Sequence, residues 1–212
     1  MLIAGIDDAG RGPVIGPLVI AGVSFNNYQI PRLLQLGVKD SKVLTAKRRY
    51  VLSQEVKKLA VQWEVLEISP SEVDKIVLEG KKYHSLNWLE ATVMAEIIKK
   101  LHPDVAYVDA SDINETRFAQ MIKEVLPFEV EIISEHHADS NYLVVSAASI
   151  IAKVSRDEAV TLLRQRYGDF GSGYSSDPKT RQFLMHLIKE GEEIPHFVRK
   201  SWKTIKQLSE QE

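Results

Sequence analysis

Two short apolar runs, residues 2–7 and 16–25, stand on either side of the bend "GRGP" near the start of the chain. Runs of this length, rich in Ile and Val and separated by Gly and Pro, read as strands rather than helices. That pairing places a sheet at the beginning of the chain and limits what the remainder can build around it. The first run also ends on two adjacent acids, Asp7 and Asp8, followed at once by Gly10, Arg11 and Gly12. Neighbouring carboxylates repel and glycines weaken a strand, so something else has to offset both costs.

Further strands are expected at 61–68, 105–109 and 128–134, the first alternating through Val61, Trp63 and Val65. Helical patterns fall between them. Thr45 is placed to cap a helix over 46–60, and Ser69-Pro70-Ser71 opens a short helical piece. Leu86, Leu89, Val93, Ile97 and Leu101 give 83–101 an apolar stripe at three- and four-residue spacing. Residues 115–126 and 144–167 read as helices, and Pro178 sits as the first residue of another reaching about 189. The tail "FVRKSWKTIKQL" reads as a basic amphipathic helix. Strands alternating with helices predict an α/β fold, a mixed five-stranded sheet flanked by helices. A domain over 1–167 and a helical extension over 168–212 are expected.

Composition narrows the function. The net charge of −2 announces no polyanion partner, so any nucleic-acid surface must be local. Cysteine is absent, which excludes disulfides and Cys-based zinc sites and agrees with a reducing, cytoplasmic setting. No apolar run approaches the roughly 20 residues of a membrane span. The start "MLIAGIDDAG" has neither the basic region nor the long apolar core of a signal peptide.

Asp7 and Asp8 close one strand, Asp109 closes another, and Asp139 lies just before the long helix. Acids at the carboxyl ends of strands converge on the edge where α/β folds place their sites. An all-oxygen cluster suits Mg²⁺ or Mn²⁺, which neutralise the acids and clamp the oxygens of a phosphodiester. The same aspartates also suit strand ends and turn caps, where Asp is favoured without any metal. Asp112, Asp157, Glu158 and Asp169 read as surface or capping groups. The Gly-Arg-Gly bend has two readings as well, an anion or sugar site made of peptide N–H groups, or simply a tight turn. Its glycines miss the dinucleotide-binding spacing, and a strand follows them where that motif requires a helix.

In sum, "GIDDAGRGPVIGPLVIAGV", "VKDSKVLTAKRR", "AYVDASD", "HHADSNYLVVSAASIIAKVSRD", "YGDFGSGYSSDPKTR" and "VRKSWKT" resemble, in order and almost end to end, the motifs of ribonuclease HII in its archaeal form. The resemblance implies a ribonuclease H-like fold with a carboxy-terminal helical extension. It implies endonucleolytic cleavage of the RNA strand of RNA–DNA hybrids and of ribonucleotides embedded in duplex DNA, leaving 5′-phosphate and 3′-hydroxyl ends by a two-metal mechanism. By position, Asp7, Asp8, Asp109 and Asp139 match the four catalytic acids, the first three being metal ligands for Mn²⁺ or Mg²⁺. Gly10, Arg11 and Gly12 match the motif that reads the ribose 2′-hydroxyl, Tyr174 the tyrosine that stacks on the junction sugar, and Lys42 a further substrate contact.

The chain departs from the family at three positions. Asp8 stands where the family usually has Glu, Val43 where it usually has Lys, and His137 where Lys is common. The shorter Asp8 implies a shifted metal preference, towards Mn²⁺, or, as the alternative, a hybrid-binding protein weakened in catalysis. His136 is assigned a buried structural role as readily as a functional one. Two basic stretches, Lys39, Lys42, Lys47, Arg48 and Arg49, then Arg199, Lys200, Lys203 and Lys206 beside Trp202, are candidates for duplex phosphates or else solvated helix faces. The protein is expected to act as a monomer.

Overall fold

The computed structural model of the chain describes residues 1–38, 44–79, 85–191 and 193–210. Strands β1 (Leu2–Ala9), β2 (Leu18–Asn26), β3 (Gln62–Ile68), β4 (Val105–Asp109) and β5 (Glu131–Glu135) form one sheet in the order β3-β2-β1-β4-β5. β1 and β2 run antiparallel with Asp7 opposite Ala21. β1 and β4 run parallel, with Ile6 beside Val108, and β4 and β5 run parallel, with Asp109 beside Glu135. The sheet is mixed, as the order of strands and helices predicts.

The helices are α1 (Ile30–Leu36), α2 (Ala46–Leu59), α3 (Pro70–Glu79), α4 (Leu86–Leu101), α5 (Glu115–Val125), α6 (Ala138–Asn141), α7 (Leu143–Tyr167), α8 (Pro178–Lys189) and α9 (Lys203–Ser209). Side chains start several of them as the sequence implies. Thr45 accepts from the Arg48 amide, Asn114 from that of Arg117, and Asp177 from that of Lys179, each satisfying an N–H that a first turn leaves without a helical partner. The short α1 and α6 are not legible beforehand, since seven and four residues are too few to show a helical period. None of the helices among the described residues is long and apolar enough to cross a membrane.

The chain divides into two compact units. The first comprises Met1–Ala9, Val19–Leu66 and Asn87–Ser155. Its sheet carries α7 on one face, where the side chain that Gly5 lacks would lie 2.1 Å from the carbonyl oxygen of Val144. Any larger residue at position 5 would push the helix off the strand. On the other face α4 packs at Gly22, which pairs with Ile6 in register, and buries Met94, Ile97 and Ile98. Val23, Phe25, Leu52, Val56, Val145, Ala148 and Ile151 fill the core on the α7 side. The run "VVSAASIIA" is small and apolar because a helix this close to a strand has no room for long side chains.

The second unit comprises Gly10–Leu18, Glu67–Leu86 and Arg156–Glu212. Its core gathers Val14, Ile15, Val160, Phe170, Leu184, Phe197, Val198, Ile205 and Leu208. The division into units falls inside α7, at Arg156, and the segment from 168 onward packs with the Gly-Arg-Gly bend. The tail corrects the expectation of one helix over 197–208. Only Lys203–Ser209 is helical, while Phe197, Val198 and Arg199 are buried and Val198 bridges Ile15 as an antiparallel pair. The apolar-basic alternation comes from a buried extended segment followed by one short helix.

Candidate active site

The acids of the first unit are placed by strand register. Asp7 and Asp8 fall at the carboxyl end of β1, and the parallel register carries Asp7 to the level of Asp109 on β4. Side chains alternate across a strand, so Asp7 shares the α7 face with Gly5. Ser149 and Lys153, one helical turn apart on α7, meet Asp7 there, and the Lys153 ammonium donates to Ser149 Oγ at 2.7 Å. Asp7 is almost fully buried. Its carboxyl is held well above the usual carboxylate range by burial, then by the charges of Asp8 and Asp109, against the opposing pull of Lys153 and the Ser149 hydrogen bond.

Asp109 also organises the acid expected after β5. Its Oδ1 accepts from the Ala138 amide at 2.7 Å, at the start of α6, and so ties β4 to the residue preceding Asp139. His137 takes a left-handed conformation to turn the chain into that helix (φ 58°). Asp139 is buried, and its backbone carbonyl accepts from the Ser146 hydroxyl. Asp8, half-buried, has the Ser111 hydroxyl 3.5 Å from its Oδ1. Ser149, Lys153 and Ser111 are site residues that sequence reasoning missed. The i, i+4 pair in "SIIAK" was the available signal for the first two.

Among the described residues, no three His, Asp or Glu side chains form a ready-made metal cage. The donor set still fits a hard cation. It is all oxygen, it carries mutual repulsion that a positive charge would relieve, and Mg²⁺ in particular is held by one or two carboxylates with substrate phosphate and water.

Two further expectations are corrected here. His136 is exposed, its Nε2 lying 3.2 Å from the Ile113 carbonyl oxygen, so it is no buried structural residue. Asp112 is buried rather than superficial. Burial pushes its carboxyl up, but hydrogen bonds from Arg117, the Asn114 amide and Asn87 outweigh that and hold it at about 2. It ties the turn after β4 to α5 and α4.

The Gly-Arg-Gly bend belongs to the second unit, and its shape is set from the far end of the chain. Arg199 is completely buried. Its Nη1 donates to the Arg11 carbonyl at 2.7 Å, and its Nη2 donates to the carbonyls of Gly10 at 2.6 Å and Gly16 at 3.1 Å. Trp202 Nε1 donates to the Gly12 carbonyl at 3.0 Å. The reading of Arg199 as part of a solvent-facing basic cluster is therefore corrected, because its guanidinium is occupied with backbone carbonyls. The amides of Val14 and Ile15 bond to the Gly173 carbonyl at 2.8 and 3.1 Å, joining the bend to the loop that carries Tyr174. Gly10 has φ 91°, and the side chain it lacks would lie 2.6 Å from the Pro17 carbonyl and 2.7 Å from Arg156 Cδ. Only glycine fits.

Tyr174, half-exposed, brings a ring carbon within 3.8 Å of the position a Gly12 side chain would take. The guanidinium of the buried Arg156 lies 5.3 Å from its ring centre, within cation–π range. The structure thus brings Gly10, Arg11, Gly12 and Tyr174 together in one unit, and Asp7, Asp8 and Asp109 together in the other. Lys42, with Lys39 and Val43, lies outside the described residues. Of the other basic candidates, Arg48 and Arg49 donate to the carbonyls of Leu36 and Leu44, and Lys47, Lys200, Lys203 and Lys206 are exposed.

The family model described as Ribonuclease HII matches residues 4–205. The curated Ribonuclease HII of Thermococcus onnurineus is 48% identical over 212 residues, covering 99% of this chain and 91% of that protein. That of Methanosarcina barkeri is 46% identical, covering 100% and 96%. Among solved structures, the ribonuclease H2 of Pyrococcus horikoshii superposes with a TM-score of 0.90 at 43% identity, covering 100% of this chain and 98% of that one. Bst-RNase HIII in complex with Mn²⁺ shares the fold with a TM-score of 0.83 at 18% identity, covering 100% and 71%.

Proposed function

Because the chain belongs to the ribonuclease HII family and is a nuclease that cuts the RNA strand of RNA–DNA hybrids, we propose that Asp7, Asp8, Asp109 and Asp139 carry its chemistry. We propose further that it also cuts at single ribonucleotides embedded in duplex DNA. The observation that carries the reading of the site is the state of Asp7, a buried carboxyl pressed by two neighbouring acids at the end of a sheet strand. Structural aspartates are seldom arranged this way, since burial and like charges both oppose ionisation.

Asp7, Asp8 and Asp109 are the residues to hold divalent cations, Mg²⁺ or Mn²⁺, on which ribonucleases H depend. Bound there, the cations would supply charge neutralisation for the attacking and leaving oxygens of the phosphodiester, leaving 5′-phosphate and 3′-hydroxyl ends. The strand register sets the spacing of the three carboxylates before substrate arrives. Lys153 and Ser149 hold Asp7 from the α7 side. Asp139 is kept in place by α6, whose first amide Asp109 caps.

Substrate choice falls to the second unit. A 2′-hydroxyl is the one group that separates ribose from deoxyribose, and peptide groups freed of side chains by Gly10 and Gly12 can reach it. Tyr174 presents an aromatic face at the same loop, suited to exclude the wrong sugar substituent by shape. The exposed Lys47, Lys200, Lys203 and Lys206 are candidates for phosphate contacts that fix register without reading sequence.

The reading of a hybrid binder that has lost catalysis is not favoured. Asp8, though a methylene shorter than Glu, still presses its charge on Asp7. The deciding experiment is a duplex DNA with one ribonucleotide, incubated with Mg²⁺ and separately with Mn²⁺ and mapped for cut position and end chemistry. A cut at the ribonucleotide with 5′-phosphate ends is expected, faster with Mn²⁺. An intact duplex under both ions would overturn the embedded-ribonucleotide reading.

A further inference from the structure

We infer that Arg199 and Trp202 are positioning residues for the Gly-Arg-Gly loop, turning its peptide N–H groups towards the sugar by drawing the matching carbonyls to the opposite side. The inference rests on the proposal that this loop reads the ribose. In a trans peptide the C=O and the following N–H point in opposite directions across one plane. Arg199 takes the carbonyls of Gly10 and Arg11, so the N–H groups of Arg11 and Gly12, which belong to the same two peptides, face away from it. Trp202 takes the Gly12 carbonyl, whose peptide ends on Pro13 and has no N–H. The loop is thereby left with its two donors aimed to one side and its acceptors occupied on the other.

Arginine suits this task and lysine does not. The planar guanidinium offers five donors in a fixed fork, which lets one side chain engage the carbonyls of Gly10, Arg11 and Gly16 together. Lysine would bring a single point charge and leave acceptors unmatched in a buried place. The segment bearing both residues is fixed in turn by Asp74 of α3. Its buried carboxylate accepts from the amides of Lys200 at 2.8 Å and Ser201 at 2.9 Å, and from Ser201 Oγ at 2.5 Å. Lys200 and Ser201 are the two residues between Arg199 and Trp202, so the carboxylate sets where both side chains start. The Arg199 guanidinium also lies 4.8 Å from the Trp202 ring centre, which locks the two together.

The test compares kcat/KM on a duplex with a single embedded ribonucleotide with kcat/KM on a long RNA–DNA hybrid, alongside the thermal midpoint. A long hybrid offers many riboses in successive registers, whereas the embedded one has to be read in place. Relative to the long hybrid, Arg199→Lys should lower cleavage of the single-ribonucleotide duplex about a hundredfold, and Trp202→Phe, which keeps the ring and removes the donor, about tenfold. A role in stability alone would lower the midpoint and depress both substrates together, leaving their ratio unchanged. Gly12→Ala reports on the loop reading itself, because the added methyl meets nothing nearer than the Tyr174 ring at 3.8 Å. A lowered ratio in all three variants supports the inference. If Gly12→Ala lowers the ratio while folded Trp202→Phe and Arg199→Lys leave it intact, the positioning role is overturned and the loop reading stands. Silence in all three removes both. Should Arg199→Lys fail to fold, Trp202→Phe decides on its own.

Discussion

The aspartate cluster and the Gly-Arg-Gly loop begin three residues apart in the chain, at Asp7 and Gly10, yet they are held by opposite means. Strand register places the carboxylates. β1 pairs with β2 from Leu2 to Ala9 and with β4 from Ile3 to Ile6, and the acids inherit their spacing from backbone hydrogen bonds that no side chain has to specify. The loop has no ladder of its own. Side-chain donors, Arg199 and Trp202, satisfy all three of its carbonyls, and Arg199 also that of Gly16 beyond it. The cluster carries mutual repulsion that a cation would relieve, whereas the carbonyls of the loop already have their donors. On the roles proposed for them, the site that acts by charge keeps unmet repulsion, while the one that reads the sugar has its acceptors matched in advance.

The largest effect should come from the cluster. Asp109→Asn keeps an oxygen to accept from the Ala138 amide, so the fold should survive while cleavage falls about a thousandfold. Near-normal turnover, with circular dichroism confirming the fold, would remove Asp109 from the chemistry. Next comes the loop. Arg199→Ala strips three carbonyls of their donor in a buried place and should cost about 3 kcal/mol of stability by urea denaturation. A loss below 1 kcal/mol would mean that water satisfies those carbonyls and that the clamp is incidental.

Asp112 sharpens the contrast from outside both regions. Its carboxyl, held at about 2 when folded against 3.8 unfolded, contributes stability that is present above about pH 4 and lost as the pH falls towards 2. Asp112→Asn should therefore destabilise the protein by about 2 kcal/mol at neutral pH and flatten the acid limb of the stability curve. An unchanged limb would show that Arg117 does not hold the charge in solution. The smallest effect should be a gain. Asp7 has the opposite sign, its carboxyl raised when folded, so its contribution to stability is full at low pH and is lost as the pH rises through the raised value. Asp7→Asn should then stabilise the metal-free protein by about 1 kcal/mol at neutral pH, with the gain shrinking on addition of Mg²⁺. A destabilised variant would contradict the repulsion described for the site.

The same contrast explains what the sequence discloses. The strands, the acids at their ends and most helices are legible because period and punctuation are local signals. Asp7, Asp8 and Asp109 meet because β1 and β4 run parallel with Ile6 beside Val108, which brings their acid-bearing ends level. Nothing local marks Arg199. In "FVRKSWKTIKQL" it reads like its basic neighbours, and only its carbonyl partners, 183 to 189 residues away, set it apart as a buried hydrogen-bond hub. Asp112 hides for the same reason, with Arg117 and Asn87 as the partners that make its burial tolerable. Ser149 and Lys153 were visible as a spacing and β1 as a strand, but nothing local said that the two would meet at Asp7.

Because Arg199 and Trp202 lie 183 to 190 residues downstream of the carbonyls they hold, this loop cannot take its shape until that distant segment has been made and folded against it. Until then the growing polypeptide carries the Gly-Arg-Gly motif without its scaffold. A truncation that removes Arg199 would keep Asp7, Asp8, Asp109 and Asp139 and lose the donor to the carbonyls of Gly10, Arg11 and Gly16.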